Sequence, residues 1–379
     1  MISQRVPTLS SISKTFMLLL SLTVATAAAQ TEVVATGLQA PQRLVLTAAG
    51  NFLVAEPGRI AYVTGSGTIR GLVEGLPFAI DDFGDQSGAT GLALHERTLY
   101  VAIGGGDAGV NGPNGEAMHN PKGVSSPLFA SILRFKFGGN VDQLTGTFRL
   151  TEAHRRALAI GDEVDLNDGA GGRLTADVLT FFPIAQPDGR LYRFSNPWGL
   201  AASSDGSTLW MSDASQESVY RIDATTGRWQ RVVRFDSLQN PTTLGPRRID
   251  TVPTSVRVYN DQLLVTLFTG YPFLRGAARV ALVDPKTRTE GTLIAGLSVI
   301  TDVIWRERPG KGPQFFVIEF STDMDNPAAP GRLLRIDDSA APTVMAADLR
   351  SPVGLAYSAA AQELYVLELG GRILKISLR

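Results

Sequence analysis

Four short apolar runs of the sequence end in an acid: FLVAE at 52–56, LWMSD at 209–213, FFVIE at 315–319 and LYVLE at 364–368. A carboxylate repeated at an equivalent place suits three chemistries. Glu56, Asp213, Glu319 and Glu368, helped by the carbonyl of Asn196, could surround a hard cation such as Ca2+, which takes roughly six to eight oxygen ligands. A carboxyl held in a cleft could act as an acid or base. Each acid could instead accept hydrogen bonds from the backbone of a neighbouring loop, or pair with Arg59, Arg275 or Arg279, and the sequence leaves these readings open.

Other reactive types are sparse. The histidines stand far apart and no GxSxG occurs, so a serine hydrolase lacks its parts. A metal with nearby carboxylates would suffice for a lactonase. A quinoprotein sugar dehydrogenase would need a base and an arginine at its cofactor, for which His119 and Arg275 are the candidates, although GEAMHNPKG around His119 has no metal-ligand spacing. DMDN at 323–326 lacks the glycine and distal glutamate of an EF-hand loop. TGSGT at 64–68 reads as a hairpin turn.

The elements that must position these groups repeat. An apolar run after a Pro- or Gly-bearing turn recurs at Arg43-Leu44, Gly91-Leu92, Gly199-Leu200, Ser255-Val256, Asp302-Val303 and Gly354-Leu355. Each is followed by a second run, which carries the acids above where they occur, and by a third such as RIAYV, SVYRI or RILKI. Runs of five or six residues rich in Val, Leu, Ile and aromatics, broken by Gly and Asp-Gly, are strands. A meander recurring at about 50 residues cannot bury its faces alone, and six packed radially make an all-β, six-bladed β-propeller. The sixth copy ends after its third strand, while TEVVATGL at 31–38 has no meander of its own. Pairing the two closes the ring and removes an exposed edge.

The second copy carries extra length, a loop at 104–129 and an insert at 138–176 in which TEAHRRALAIGDEV predicts a short helix capped by Thr151. Strand alternation puts the loops entering the first strand and leaving the second on one face, called upper here, around the mouth of the axial channel. That face should gather Glu56, Asn196, Asp213, Tyr271, Arg275, Asp302, Glu319, Glu368 and His119, with His95 and the helical insert on the lower face.

Arg5 and Lys14, the apolar FMLLLSLTV at 16–24 and Ala27-Ala28-Ala29 before Gln30 have the build of a secretory signal peptide over 1–29. The propeller then occupies 30–379, in the periplasm or outside the cell. The apolar run is too short to span a bilayer, for which about 20 residues are needed, and no later run is longer. With 35 basic and 36 acidic residues there is no electrostatic pull toward nucleic acid. The absence of cysteine excludes disulfides and thiolate chemistry. A monomer is expected.

SNPWGL at 195–200, SDAS at 212–215, VPTSV at 252–256 and FTGYPFLRGAARV at 268–280 together resemble the ScyD/ScyE family of secreted bacterial propellers. The similarity runs through most of 32–379 and is most specific in the TGYPF stretch. It implies a propeller outside the cytoplasm and brings no catalytic residue with it. The expectation is an upper-face central pocket for a small organic ligand or a protein partner, or, alternatively, for metal-dependent hydrolysis of a lactone.

Overall fold

The protein is described by a computed structural model over residues 31–378, excepting 82, 83, 85, 112–116, 183–194 and 338–340. The expected signal peptide lies outside the described residues. Among them, no helix is long and apolar enough to cross a membrane.

Six antiparallel sheets follow one another around an axis. Their innermost strands are Arg43–Leu46, Ala89–His95, Pro197–Ala202, Pro253–Tyr259, Ile300–Arg308 and Pro352–Ser358. The first three strands of each blade then run outward in chain order, and each inner strand packs beside the next to complete the ring. FLVAE shows why the apolar runs are continuous: Leu53 and Ala55 pack against blade 2, Phe52 and Val54 against blade 6, and all are fully buried. With period-2 alternation, a strand covered on both faces needs apolar residues at every position. Buried clusters of this kind fill all six blade-to-blade interfaces.

The ring closes as expected. Thr31–Thr36 pairs antiparallel with Arg372–Ser377 as the outer strand of blade 6, from Thr31 opposite Ile376 to Thr36 opposite Arg372. Lys375 Nζ meets Glu32 Oε2 at 2.9 Å across this pair. Where the chain leaves the strand, the Gly37 and Leu38 amides donate to the Gly371 carbonyl. Gly371 has φ +90°, and a Cβ there would stand 2.1 Å from the Leu38 carbonyl oxygen, so only glycine fits this seam.

The insert of blade 2 lies between its third strand, Ser131–Phe137, and its fourth, Arg173–Phe181. It contains the expected helix, Glu152–Ala159, with the Thr151 hydroxyl accepting from the His154 amide at 3.2 Å. Its placement corrects the expectation of a lower-face appendage. The segment starts at the lower face, where Asp142 accepts from Thr47 Oγ1 at 2.6 Å, Asn51 Nδ2 at 2.9 Å and Tyr62 Oη at 3.0 Å. It then climbs the outside of blade 1, pairing Phe148–Arg149 in parallel with Val73–Glu74, and puts its helix at the upper rim, where Arg155 donates to the Gly75 carbonyl at 3.0 Å. Val164–Asn167 descends as the outer edge of blade 2. Phe148, Leu158 and Leu166 are buried between the two blades, so the insert staples them together.

Candidate functional site

The four acids stand at the upper ends of four different second strands and are fully buried, each answered within its own blade. Glu56 accepts from the Gln39 amide and from Arg59 Nε. Glu319 accepts from the Ser298 amide at 2.9 Å and from Arg332 Nε. Glu368 accepts from the Arg350 amide at 2.7 Å and from Arg372 Nε. One plan is repeated three times: an acid closing strand two binds the amide of the loop entering strand one and the arginine opening strand three. Asp213 has no arginine and instead takes the Ser195 hydroxyl with the amides of Asn196 (2.9 Å), Gln216 (3.0 Å) and Ser215 (3.1 Å). Burial pushes the Asp213 carboxyl upward, and those donors oppose it.

The structure does not bring the four acids of the expected Ca2+ site together. Among the described residues no three His, Cys, Asp or Glu side chains come together as a metal would need, and the oxygens of Glu56, Asp213, Glu319 and Glu368 are turned to amides, hydroxyls and guanidinium groups rather than to a shared centre. Of the expected arginine partners only Arg59 is used; Arg279 pairs with Glu290 at 2.8 Å, and Arg275 pairs with Asp323 between the loops of blades 4 and 5. Asn196 joins two blades, its Oδ1 accepting from the Gly105 amide at 2.9 Å. Tyr271 is half exposed, its ring 6.0 Å from that of Phe273. The backbone of His119 pairs with Gly109, and the role expected of its imidazole falls outside the described residues.

The buried charge at the axis lies elsewhere. Strand pairing aligns Arg43 with Gly91, Gly199, Ser255, Asp302 and Gly354, one residue from each blade. The glycines let neighbouring blades close in: a Cβ on Gly91 would stand 2.1 Å from the Trp198 carbonyl oxygen. Into this layer Arg43 reaches across the axis, donating from Nη2 to the Thr254 carbonyl of the opposite blade at 2.7 Å. Its Nη1 lies 2.9 Å from Asp302 Oδ2 without hydrogen-bond alignment, and its buried Nε has no partner among the described residues. Asp302 also accepts from Ser255 Oγ and Arg257 Nη2, both at 2.6 Å, and from the amides of Val303 and Leu355, both at 2.9 Å. Burial alone would raise this carboxyl. The charges of Arg257 and Arg43 and the hydrogen bonds outweigh it and hold it down to about 2. Burial pushes the Arg43 guanidinium down, with Asp302 opposing and Arg257 adding repulsion.

Below this polar layer an axial funnel of about 540 Å3 opens on the lower face. All six blades line it, with Leu46, Leu94, Ala202, Val258, Trp305 and Tyr357 contributing one side chain each. Arg257 sits at its inner end, about a quarter exposed. The size falls in the roughly 300–1,000 Å3 range of small-molecule sites. Reasoning from the sequence passed over this site because it followed acids at strand ends. The available signal was charge at Arg43 and Asp302 where three other blades carry glycine.

No protein-family model matches the chain, and no curated protein does. Solved structures do. A putative oxidoreductase (glucose dehydrogenase) from Thermus thermophilus is 15% identical, with 92% of this chain and 99% of that one covered and a TM-score of 0.50. A catalytically inactive virginiamycin B lyase from Staphylococcus aureus is 12% identical over 92% and 99%, with a TM-score of 0.46. A gluconolactonase from Xanthomonas campestris is 10% identical over 92% and 89%, with a TM-score of 0.44. At such identity the likeness concerns the propeller fold and nothing finer.

Proposed function

We propose that this propeller is a binding protein that receives a small organic ligand in its axial funnel, on the face opposite the one where the sequence suggests a pocket. The observation that supports this is the funnel itself, a cavity lined from every blade mostly by apolar residues, with His95, Ser203 and Ser204 also in its wall and Arg257 at its inner end. The metal-dependent hydrolase reading loses support because the acids it would use are dispersed and already bonded to donors of their own blades, and the Arg275 that a dehydrogenase would use is paired with Asp323. In this reading residues 1–29 direct export and the protein works outside the cytoplasm, as its resemblance to the ScyD/ScyE proteins implies.

A thermal-shift screen of small organic compounds on the chain from Gln30 onward tests the reading, run beside Ala202→Phe, which fills the funnel without touching the polar layer. A ligand at a hundredfold its Kd stabilises by about 2.7 kcal/mol. Compounds that stabilise the parent should leave Ala202→Phe unmoved. Compounds that stabilise both proteins alike place the site elsewhere and refute the funnel.

A further inference from the structure

The funnel has an electrostatic sign. Its described wall contains no acid; its one arginine is Arg257, and His95 and Tyr357 are the other titratable side chains in it. Asp302, which answers Arg257, lies one layer above and is shared with Arg43, so two guanidinium groups face a single carboxylate. The buried group is therefore a cation overall, with one positive charge in excess. Asp302 already accepts from five donors, with the Arg43 Nη1 charge beside it, and has no lone pair to spare for the remaining arginine atoms. Arg257 spends Nε and Nη2 on Asp302 and on the Leu355 carbonyl, the last at 2.9 Å, and its Nη1 has no partner among the described residues. The rest of its rung, Val45, Ala93, Ala201, Ile304 and Ala356, is apolar. An uncompensated charge in low-dielectric surroundings is costly and is relieved by a counter-ion that can approach it.

From this juxtaposition of a half-answered guanidinium pair with apolar walls we infer that the ligand is an organic monocarboxylate with an apolar body, its carboxylate on Arg257 at the inner end and its hydrocarbon part along the funnel toward Trp305 and Tyr357. The inference rests on the funnel being the binding site and adds the chemical class. Charge balance favours one negative charge, since a single carboxylate neutralises the excess and a second would stand unpaired among Leu46, Leu94 and Val258. The two N–H groups left on Arg257 Nη1 can each donate a charge-assisted hydrogen bond to a carboxylate.

Calorimetric titration of the chain from Gln30 onward with octanoate and 4-phenylbutanoate, beside octanamide and 4-phenylbutanamide, reads the inference directly. The carboxylates should bind at least tenfold more tightly than the amides. Arg257→Gln should erase that preference while keeping the weak affinity for the amides, and Arg257→Lys should retain part of it. Because Arg257 also holds Asp302, Ala202→Phe serves as the second variant and should abolish binding of both series in a protein that still melts cooperatively. Equal affinity of acids and amides overturns the monocarboxylate while leaving the funnel as the site. Failure of both series to bind overturns it as well, and the funnel reading then stands or falls on the wider screen.

Discussion

Replacing Asp302 by asparagine keeps the shape of the side chain and removes the only negative charge in the axial layer. In the folded protein its carboxyl is held down to about 2, against 3.8 without those contacts. Nearly two pH units at 1.36 kcal/mol each give about 2.5 kcal/mol for preferential ionisation in the native state. The variant also leaves Arg43, fully buried, with no counter-charge, and removing one partner of a buried pair costs about 3–5 kcal/mol. Asp302→Asn should therefore lose about 3–5 kcal/mol at pH 7, read from urea midpoints followed by circular dichroism. The pH dependence has a definite sign. A depressed carboxyl stabilises fully above its unfolded value and ceases to as pH falls through its folded one, so the gap between parent and variant should shrink between pH 4 and pH 2, by about 1 kcal/mol already at pH 3. A gap below about 1 kcal/mol at pH 7, or one that stays constant down to pH 3, refutes the assignment of Asp302 as the ionised centre of the layer.

Glu319→Gln and Glu368→Gln should each lower stability by about 1–3 kcal/mol in the same urea assay, with no effect of chelator on the parent melt, because each carboxylate ties a loop amide to an arginine. A chain beginning at Gln39 loses the outer strand of blade 6 and exposes the Arg372–Ser377 edge; its melting temperature should fall well below the parent's and light scattering should report association. Joining Asn140 to Arg173 through a short Gly-Ser turn should destabilise blades 1 and 2, since it removes Phe148, Leu158 and Leu166 from their shared core. Unchanged melting of that deletion would show the insert to be a passenger.

The blades were legible in the sequence because a propeller strand is buried on both faces, so runs such as FLVAE and LYVLE stand out whole. The closing strand was legible for a related reason: TEVVAT is a strand without a meander, and blade 6 has a meander short of a strand. The insert defeated local reading because its position depends on Phe148–Arg149 pairing with Val73–Glu74, a short parallel contact between distant segments. The acids were picked out, but their partners were not. Arg59 and Arg372 lie within a turn of Glu56 and Glu368, whereas Arg332 reaches Glu319 from beyond a loop. The axial layer is hardest to see. Arg43 meets the Thr254 carbonyl across more than half the chain, a contact that exists only once the ring has closed.

The central claim, that the upper-face acids are structural and the ligand site is the lower funnel, is tested most directly by a crystal structure of the chain from Gln30 onward grown with 4-phenylbutanoate. The account predicts density for the compound in the funnel, carboxylate against Arg257 and ring between Trp305 and Tyr357, with Glu319 and Glu368 still bonded to Arg332 and Arg372. An empty funnel, with the compound or a cation bound among Glu56, Asp213, Glu319 and Glu368, would contradict it.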